Sequence, residues 1–556
     1  MTAENAAPLS ALAMSDALER GAVTPAELLT DALARVARAD AALGAFVHVD
    51  EAGAAQAAAD AGARQAARRR LGPLDGVPVA VKDNIWVAGM PAHWGSRMWS
   101  DFTPPCDDIV VERLRAAGAV IIGKTNTPEF ALSGRTDSPL HGKARNPWDV
   151  ALTPGGSSGG SVAAVAAGMV PVALTTDAGG STRIPASYTG LYGLRPSNGR
   201  IARRHGFPPM GIDFQAVGAV ARDLADLEMA YGLLAGPDER DPASLRLPPQ
   251  RAGGKPRIGW FARYEGEVVH PEVEAAVVEC AAVLAQAGYE VAPRPAPYDV
   301  ALVRRVWGAL SSAGAARAAE LHPDRWRDEA SAAIAAAATR GLAMTAVDYV
   351  RALDGLAALR AQVSENWGEV DVYLCPSAAS PAWAIDEEFP AEIGGKPGHA
   401  AAQNTFATWV NAIGHPGLNI PGRPHADGRP LGMQLVGRFG GEADLFAVAR
   451  GIAAGAGWTR PTFPAWSQRP HTPALSGRAI RHLRSNAPEP PFPAWTGIGP
   501  LDWAGMSFEG VGSIGAVGEV EKTIEPRAVR LALAFVDKGP PPFGDPTAVV
   551  LTLGMP

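Results

Sequence analysis

The chain has 556 residues, 47% apolar and 19% charged, the opposite of the low-hydropathy, high-charge balance that keeps a chain unfolded. Its 50 Lys and Arg against 57 Asp and Glu leave a net charge of −7, too weak a field to gather a phosphate backbone, so no nucleic-acid partner is expected. The cysteines Cys106, Cys280 and Cys375 lie far apart with no CxxC pair, which fits core thiols in a reducing compartment. No apolar run reaches the ~18 residues of a membrane span, so the expected location is the cytoplasm, away from membranes.

Residues 1–70 read as helices. Thr24-Pro25-Ala26-Glu27 supplies an N-cap, a first-turn proline and a capping-box glutamate, and Leu28, Leu29, Ala32, Leu33 and Val36 follow at helical spacing. From residue 71 short apolar runs alternate with amphipathic segments. Val77 to Val81 reads as a buried strand, Asp108 to Ala117 as a helix stopped by Gly118, and Ala119 to Ile122 as the next strand. Val162 to Gly168 predicts a small-residue helix and Val170 to Thr175 another strand. Residues 221–365 read as a helical insert, with helices at Glu272 to Ala287 and around Ala332 to Arg360. Val370 to Cys375 and Gly432 to Val436 return to the sheet within 366–466. The expected fold is therefore α/β, a central mixed twisted sheet covered by helices on both faces. Beyond residue 466 a Pro-rich linker and a small β-rich tail are expected over 467–556, with alternating runs at Val529 to Phe535 and Ala548 to Leu553.

The stretch Thr153-Pro154-Gly155-Gly156-Ser157-Ser158-Gly159-Gly160-Ser161 is not a P-loop, because no lysine follows the glycines in the required pattern. It is not a free linker either, since an ordered helix and strand follow it. A second glycine pair, Gly179-Gly180, immediately precedes Ser181. Backbone N–H groups of Ala178, Gly179, Gly180 and Ser181 can therefore converge on an atom bound beside that serine, which is oxyanion-hole chemistry.

These residues resemble the amidase signature family, whose members cleave amide bonds with a Ser-Ser-Lys triad. The glycine-serine core is Gly155 to Ser161, and its second half is Asp177-Ala178-Gly179-Gly180-Ser181-Thr182-Arg183-Ile184-Pro185. Ser181 stands 24 residues after Ser157 and Lys82 stands 75 before it; both intervals are similar to the family's. The resemblance runs from about Leu9 to Pro464, including Asn411 to Pro421, and implies that Ser181 is the nucleophile, Ser157 the bridge and Lys82 the base. It also implies a cis peptide between Gly156 and Ser157. Each type has its own chemical reason. A serine hydroxyl needs a place for its proton, and a lysine can take it only when burial and hydroxyl neighbours favour the neutral amine. Asp83, next in an extended chain, should face away from that amine.

Asp177 and Arg183 are expected to brace the loop as an ion pair, and Ser158 to cap or support a helix. The histidines show no ligand spacing, so neither a metal nor a cofactor is expected; His141 and His415 read as local hydrogen-bonding groups. Trp86, Met90, Trp94 and Trp99 cluster after Lys82 and can either wall an apolar pocket or pack as core. The first option suggests a fairly apolar amide, anilide or carbamate as substrate, with water as the second reactant and a monomer or homodimer as the working form. A glutaminase subunit of a tRNA-dependent amidotransferase and a non-catalytic scaffold of the same fold are the alternatives. The tail segment Phe508 to Glu521 distantly resembles β-rich phage tail-associated sequence.

Overall fold

The computed structural model describes residues 10–246, 255–455, 458 and 462–464, with the backbone of three strands at 518–524, 527–535 and 549–554. Thr24 caps the helix Pro25–Leu43: its hydroxyl accepts from the Glu27 N–H, and the Glu27 carboxylate accepts from the Thr24 N–H at 2.8 Å. Two N–H groups with no intrahelical partner are thereby satisfied, and Leu28, Leu29, Ala32 and Val36 turn to the interior.

Eleven strands among the described residues form one mixed sheet. In chain order they are β1 Phe46–Val49, β2 Pro78–Lys82, β3 Val120–Thr125, β4 Val172–Asp177, β5 Tyr192–Arg195, β6 Ala216–Ala221, β7 Ile258–Trp260, β8 Val291–Pro293, β9 Val372–Pro376, β10 Gly417–Pro421 and β11 Gly432–Gly437. Their order across the sheet is β1-β3-β2-β4-β6-β5-β10-β11-β9-β7-β8. The trios β3-β2-β4 and β9-β7-β8 run parallel, and the remaining neighbours are antiparallel. Alternation divides the apolar side chains between two layers, as a period of two requires. Val79, Val81, Ile121 and Leu174 join Val110, Leu114 and Leu227 on one face. Ala80, Val120, Ile122 and Ala173 join Leu29, Val36, Val162 and Val165 on the other.

The region 221–365 is not purely helical. It holds the helices Leu224–Leu234, Pro271–Gln286, Val300–Glu320, Ala332–Leu342 and Ala346–Asn366, but also β7 and β8, which extend the sheet beside β9. At three residues each, these strands are too short to show an alternation. The segment read as one helical stretch after Ala332 divides at Thr345, whose hydroxyl and Asp348 form a second capping box. The helix expected at Val162 starts earlier, at Gly159.

The chain separates into two compact units, Met1–Ser476 and Gly477–Pro556. In the second, Gly518–Ile524, Arg527–Phe535 and Val549–Gly554 form a three-stranded antiparallel sheet. The proline cluster at 488–493 and the segment 508–517 lie outside the described residues. Among the described residues no helix is long and apolar enough to cross a membrane, and no group of three or more His, Cys, Asp or Glu side chains could hold a metal ion.

Candidate active site

Parallel pairing of β2 with β3 and β4 brings the carboxyl ends of three strands to one edge of the sheet. Lys82 ends β2 there, beside the Thr176-Asp177 end of β4. Its side chain is fully buried. The Nζ lies 2.8 Å from Ser157 Oγ, 3.0 Å from Ser158 Oγ and 2.9 Å from Thr176 Oγ1. Burial lowers the amine to about 7, against the pull of the Asp177 and Asp83 carboxylates toward the charged form. Asp83 faces away, as strand alternation requires: its carboxylate accepts from the His93 N–H at 3.1 Å and the Gly95 N–H at 3.2 Å.

The Gly156-Ser157 peptide is cis. Thr127 Oγ1 donates to the Ser157 carbonyl at 3.0 Å and Thr136 Oγ1 to the Gly155 carbonyl at 2.9 Å, so two threonines hold the segment from outside. Ser158 precedes the helix Gly159–Ala166 but makes no side-chain cap. Its hydroxyl turns instead to Lys82 and to the Thr176 carbonyl at 3.3 Å. The capping role expected for it gives way to this one because the buried amine needs hydrogen-bonding neighbours more than the helix start does.

Ser181 is half-buried, and its carbonyl accepts the Ser158 N–H at 3.2 Å. Among the described residues its hydroxyl makes no hydrogen bond, so the direct link within the predicted trio is the one between Lys82 and Ser157. Gly180, at φ +109°, takes a backbone shape that L side chains rarely adopt, and a Cβ there would lie 2.6 Å from Ile184 Cδ1. The Gly180 N–H donates to Asp177 Oδ1 at 2.7 Å. That donor is therefore already engaged, whereas among the described residues no hydrogen bond runs from the N–H groups of Ala178, Gly179 and Ser181.

Asp177 and Arg183 form the expected brace, both without solvent exposure. Arg183 Nε and Nη2 reach the two carboxylate oxygens at 3.0 and 3.1 Å. Asn411 Nδ2 donates to the same carboxylate at 2.8 Å, and Gln434 Oε1 accepts from Arg183 Nη1 at 2.7 Å. Burial alone would raise the Asp177 carboxyl, but the Arg183 guanidinium more than offsets it and holds the group well below the usual carboxylate range.

Of the four apolar side chains expected near the site, Met90, Trp94 and Trp99 are buried and Trp86 is half-buried. Trp94 and Trp99 are 3% and 2% exposed. Trp94 stacks on Phe207 at 4.7 Å, and Trp99 meets the edge of the same ring at 5.1 Å. Trp86 stacks on His205 at 6.0 Å, and Met90 joins the apolar layer with Val79 and Ile85. Trp86, Trp94 and Trp99 thus gather around Phe207, a residue that sequence distance hid. The loop beside Ser181 has other neighbours. A Cβ on Gly179 would lie 3.5 Å from Thr408 Oγ1 and 3.7 Å from the half-buried Trp307. Nothing in the spacing of Trp307 or Thr408 marked them.

A second buried lysine, Lys124, is braced by the carbonyls of Asp83 and Ile85 at 2.9 and 2.6 Å. His141 Nε2 pairs with His93 Nδ1 at 2.9 Å, and His415 Nδ1 with the Gly437 carbonyl at 2.9 Å. Burial lowers both His141 and His415 to about 4, which keeps them neutral. Cys375 is buried and its thiol is pushed up to about 12, which removes it as a nucleophile.

An α/β sheet whose strand ends present a buried lysine, a cis serine and a glycine-serine loop defines a class of amide-bond enzymes. The Amidase family model matches residues 27–446, and the chain belongs to the amidase signature family, enzymes that act on carbon–nitrogen amide bonds. It is 36% identical over 465 residues to a glutamyl-tRNA(Gln) amidotransferase subunit from Anaeromyxobacter dehalogenans (strain 2CP-C), covering 78% of this chain and 93% of the relative. A solved amidase is 31% identical with a TM-score of 0.73, covering 80% of this chain and 99% of the other. A protein of a vestigial complex tied to the origins of an s-triazine catabolic enzyme is 28% identical with a TM-score of 0.74, covering 82% and 100%.

Proposed function

We propose that the chain hydrolyses a carbon–nitrogen amide bond through an acyl-enzyme on Ser181, with Ser157 relaying the proton to Lys82. The observation that carries this is the fully buried Lys82 amine, lowered to about 7 and 2.8 Å from Ser157 Oγ. As Ser181 Oγ attacks the carbonyl carbon, its proton passes to Ser157 Oγ while the Ser157 proton passes to Lys82. The N–H groups of Ala178, Gly179 and Ser181 hold the oxyanion; Gly180 shapes the loop and serves Asp177. The relay then protonates the leaving amine, and water repeats the attack to release the acid.

Two substrate readings remain, and the sequence relatives favour the first. In it the chain is the glutaminase component of an amidotransferase, handing ammonia to a partner, as the name of its 36% identical relative suggests. The second is a free-standing hydrolase of fairly apolar amides, anilides or carbamates. It draws support from Trp307 beside Gly179. Purified single chain, assayed on glutamine and on acetanilide, separates them. Glutamine turnover that rises on adding a partner supports the first reading, and acetanilide turnover by the chain alone supports the second. In either assay Ser181→Ala is expected to lose at least ~10³-fold in kcat/KM with an unchanged circular-dichroism spectrum. Retained turnover in that variant would overturn the assignment of Ser181 as nucleophile, whereas no turnover together with no fluorophosphonate labelling of Ser181 would leave only the scaffold reading.

A further inference from the structure

A neutral lysine amine has two N–H donors and one lone pair, yet Lys82 Nζ faces three hydroxyl oxygens, those of Ser157 at 2.8 Å, Ser158 at 3.0 Å and Thr176 at 2.9 Å. The Thr176 carbonyl, at 3.5 Å, is the more distant acceptor, so two of the three hydroxyls accept and one donates. The relay works only if the donor is Ser157. Building on the proposed Ser181 mechanism, we infer that Thr176 is a positioning residue: together with Ser158 it takes up the amine's two N–H bonds and so aims the lone pair at the Ser157 hydroxyl.

The hydrogen-bond outlets support that direction. Ser158 Oγ directs its own proton to the Thr176 carbonyl at 3.3 Å, which leaves its lone pairs for Lys82. Thr176 Oγ1 lies 3.4 Å from Asn84 Oδ1, an acceptor for its proton, and 3.1 Å from Asn84 Nδ2. Thr176 and Asn84 are both buried, so no bulk water competes for these bonds. Thr176 is also held by its place in β4. Its neighbour Thr175 points the other way, to Thr182 Oγ1 at 2.7 Å, and a β-branched side chain in a strand keeps few rotamers. Ser157 has no comparable outlet among the described residues besides the amine, so its proton is the one left for the lone pair.

The test follows the rate at which a fluorophosphonate probe labels Ser181 across pH 5 to 10, with Ser181→Ala as the blank. Thr176→Val keeps the shape and removes the hydroxyl. It is expected to lower the limiting rate by ~10–100-fold, a part of what a general base supplies. It should also move the acid limb to lower pH, because the charged amine loses an acceptor. Thr176→Ser restores the hydroxyl and should return the rate to within about threefold of wild type. A valine variant within twofold of wild type with an unmoved limb would overturn the inference, as would a serine variant no better than valine. Should valine fail to give folded protein, Asn84→Ala decides: it keeps the hydroxyl but removes its acceptor, so a drop of at least about fivefold is expected, and an unchanged rate overturns the inference. Absence of Ser181 labelling in the wild type would instead overturn the mechanism on which it rests.

Discussion

A lysine without solvent exposure, among hydroxyl oxygens rather than carboxylates, is held where neutrality costs little. Lys82 is at about 7 because burial outweighs the attraction of Asp177 and Asp83, and Asp177 is itself tied to Arg183. The labelling rate should accordingly rise tenfold per pH unit below about 7 and level off above it, since only the neutral amine can accept the Ser157 proton. Stability carries the same signature with a definite sign. The folded value lies below the ordinary lysine value of 10.5, so between about 7 and 10.5 the unfolded chain binds more protons and stability rises with pH. Between pH 7 and 9 the wild type should gain about 2 kcal/mol relative to Lys82→Met in urea unfolding. A pH-independent difference between the two proteins would show that the amine is not buried in solution.

At the scale of elements, the site depends on how closely one helix approaches one strand end. A Cβ on Gly160, in the first turn of Gly159–Ala166, would sit 2.3 Å from the Asn126 nitrogen and 2.5 Å from the Ala45 carbonyl oxygen. Both are backbone atoms, which cannot step aside. Gly160→Ala would gain up to about 1 kcal/mol of helix propensity elsewhere, but here it should destabilise the protein by about 2 kcal/mol net and disturb the adjoining Ser157-Ser158 segment. A more stable alanine variant in urea unfolding would contradict this packing. Elements of this kind are legible in the sequence where a local rule applies. The Thr24 capping box, the β2 and β3 runs and the Gly/Ser loop are each written in consecutive residues. Long-range chemistry is not: Thr176 acts through a hydroxyl in an apolar strand, and Phe207 reaches the tryptophans from another part of the chain. Ser158 departs from its expected role because capping is the local habit of a serine before a helix, whereas its partner, Lys82, stands 76 residues away.

At the scale of the molecule, the catalytic unit holds everything the proposed chemistry uses. All eleven strands of the large sheet, the apolar layers on its two faces and the cluster around Lys82 fall within Met1–Ser476, and the family match closes at residue 446. The apolar layers on the two faces of the sheet are formed by residues of Met1–Ser476. Stopping the chain after Ser476 is therefore expected to keep the melting temperature within about 2 °C. The labelling rate at Ser181 should stay within twofold. A fall of more than about fivefold with unchanged melting would assign the second unit a part in shaping the site. A fall in both would make it a structural component of the enzyme.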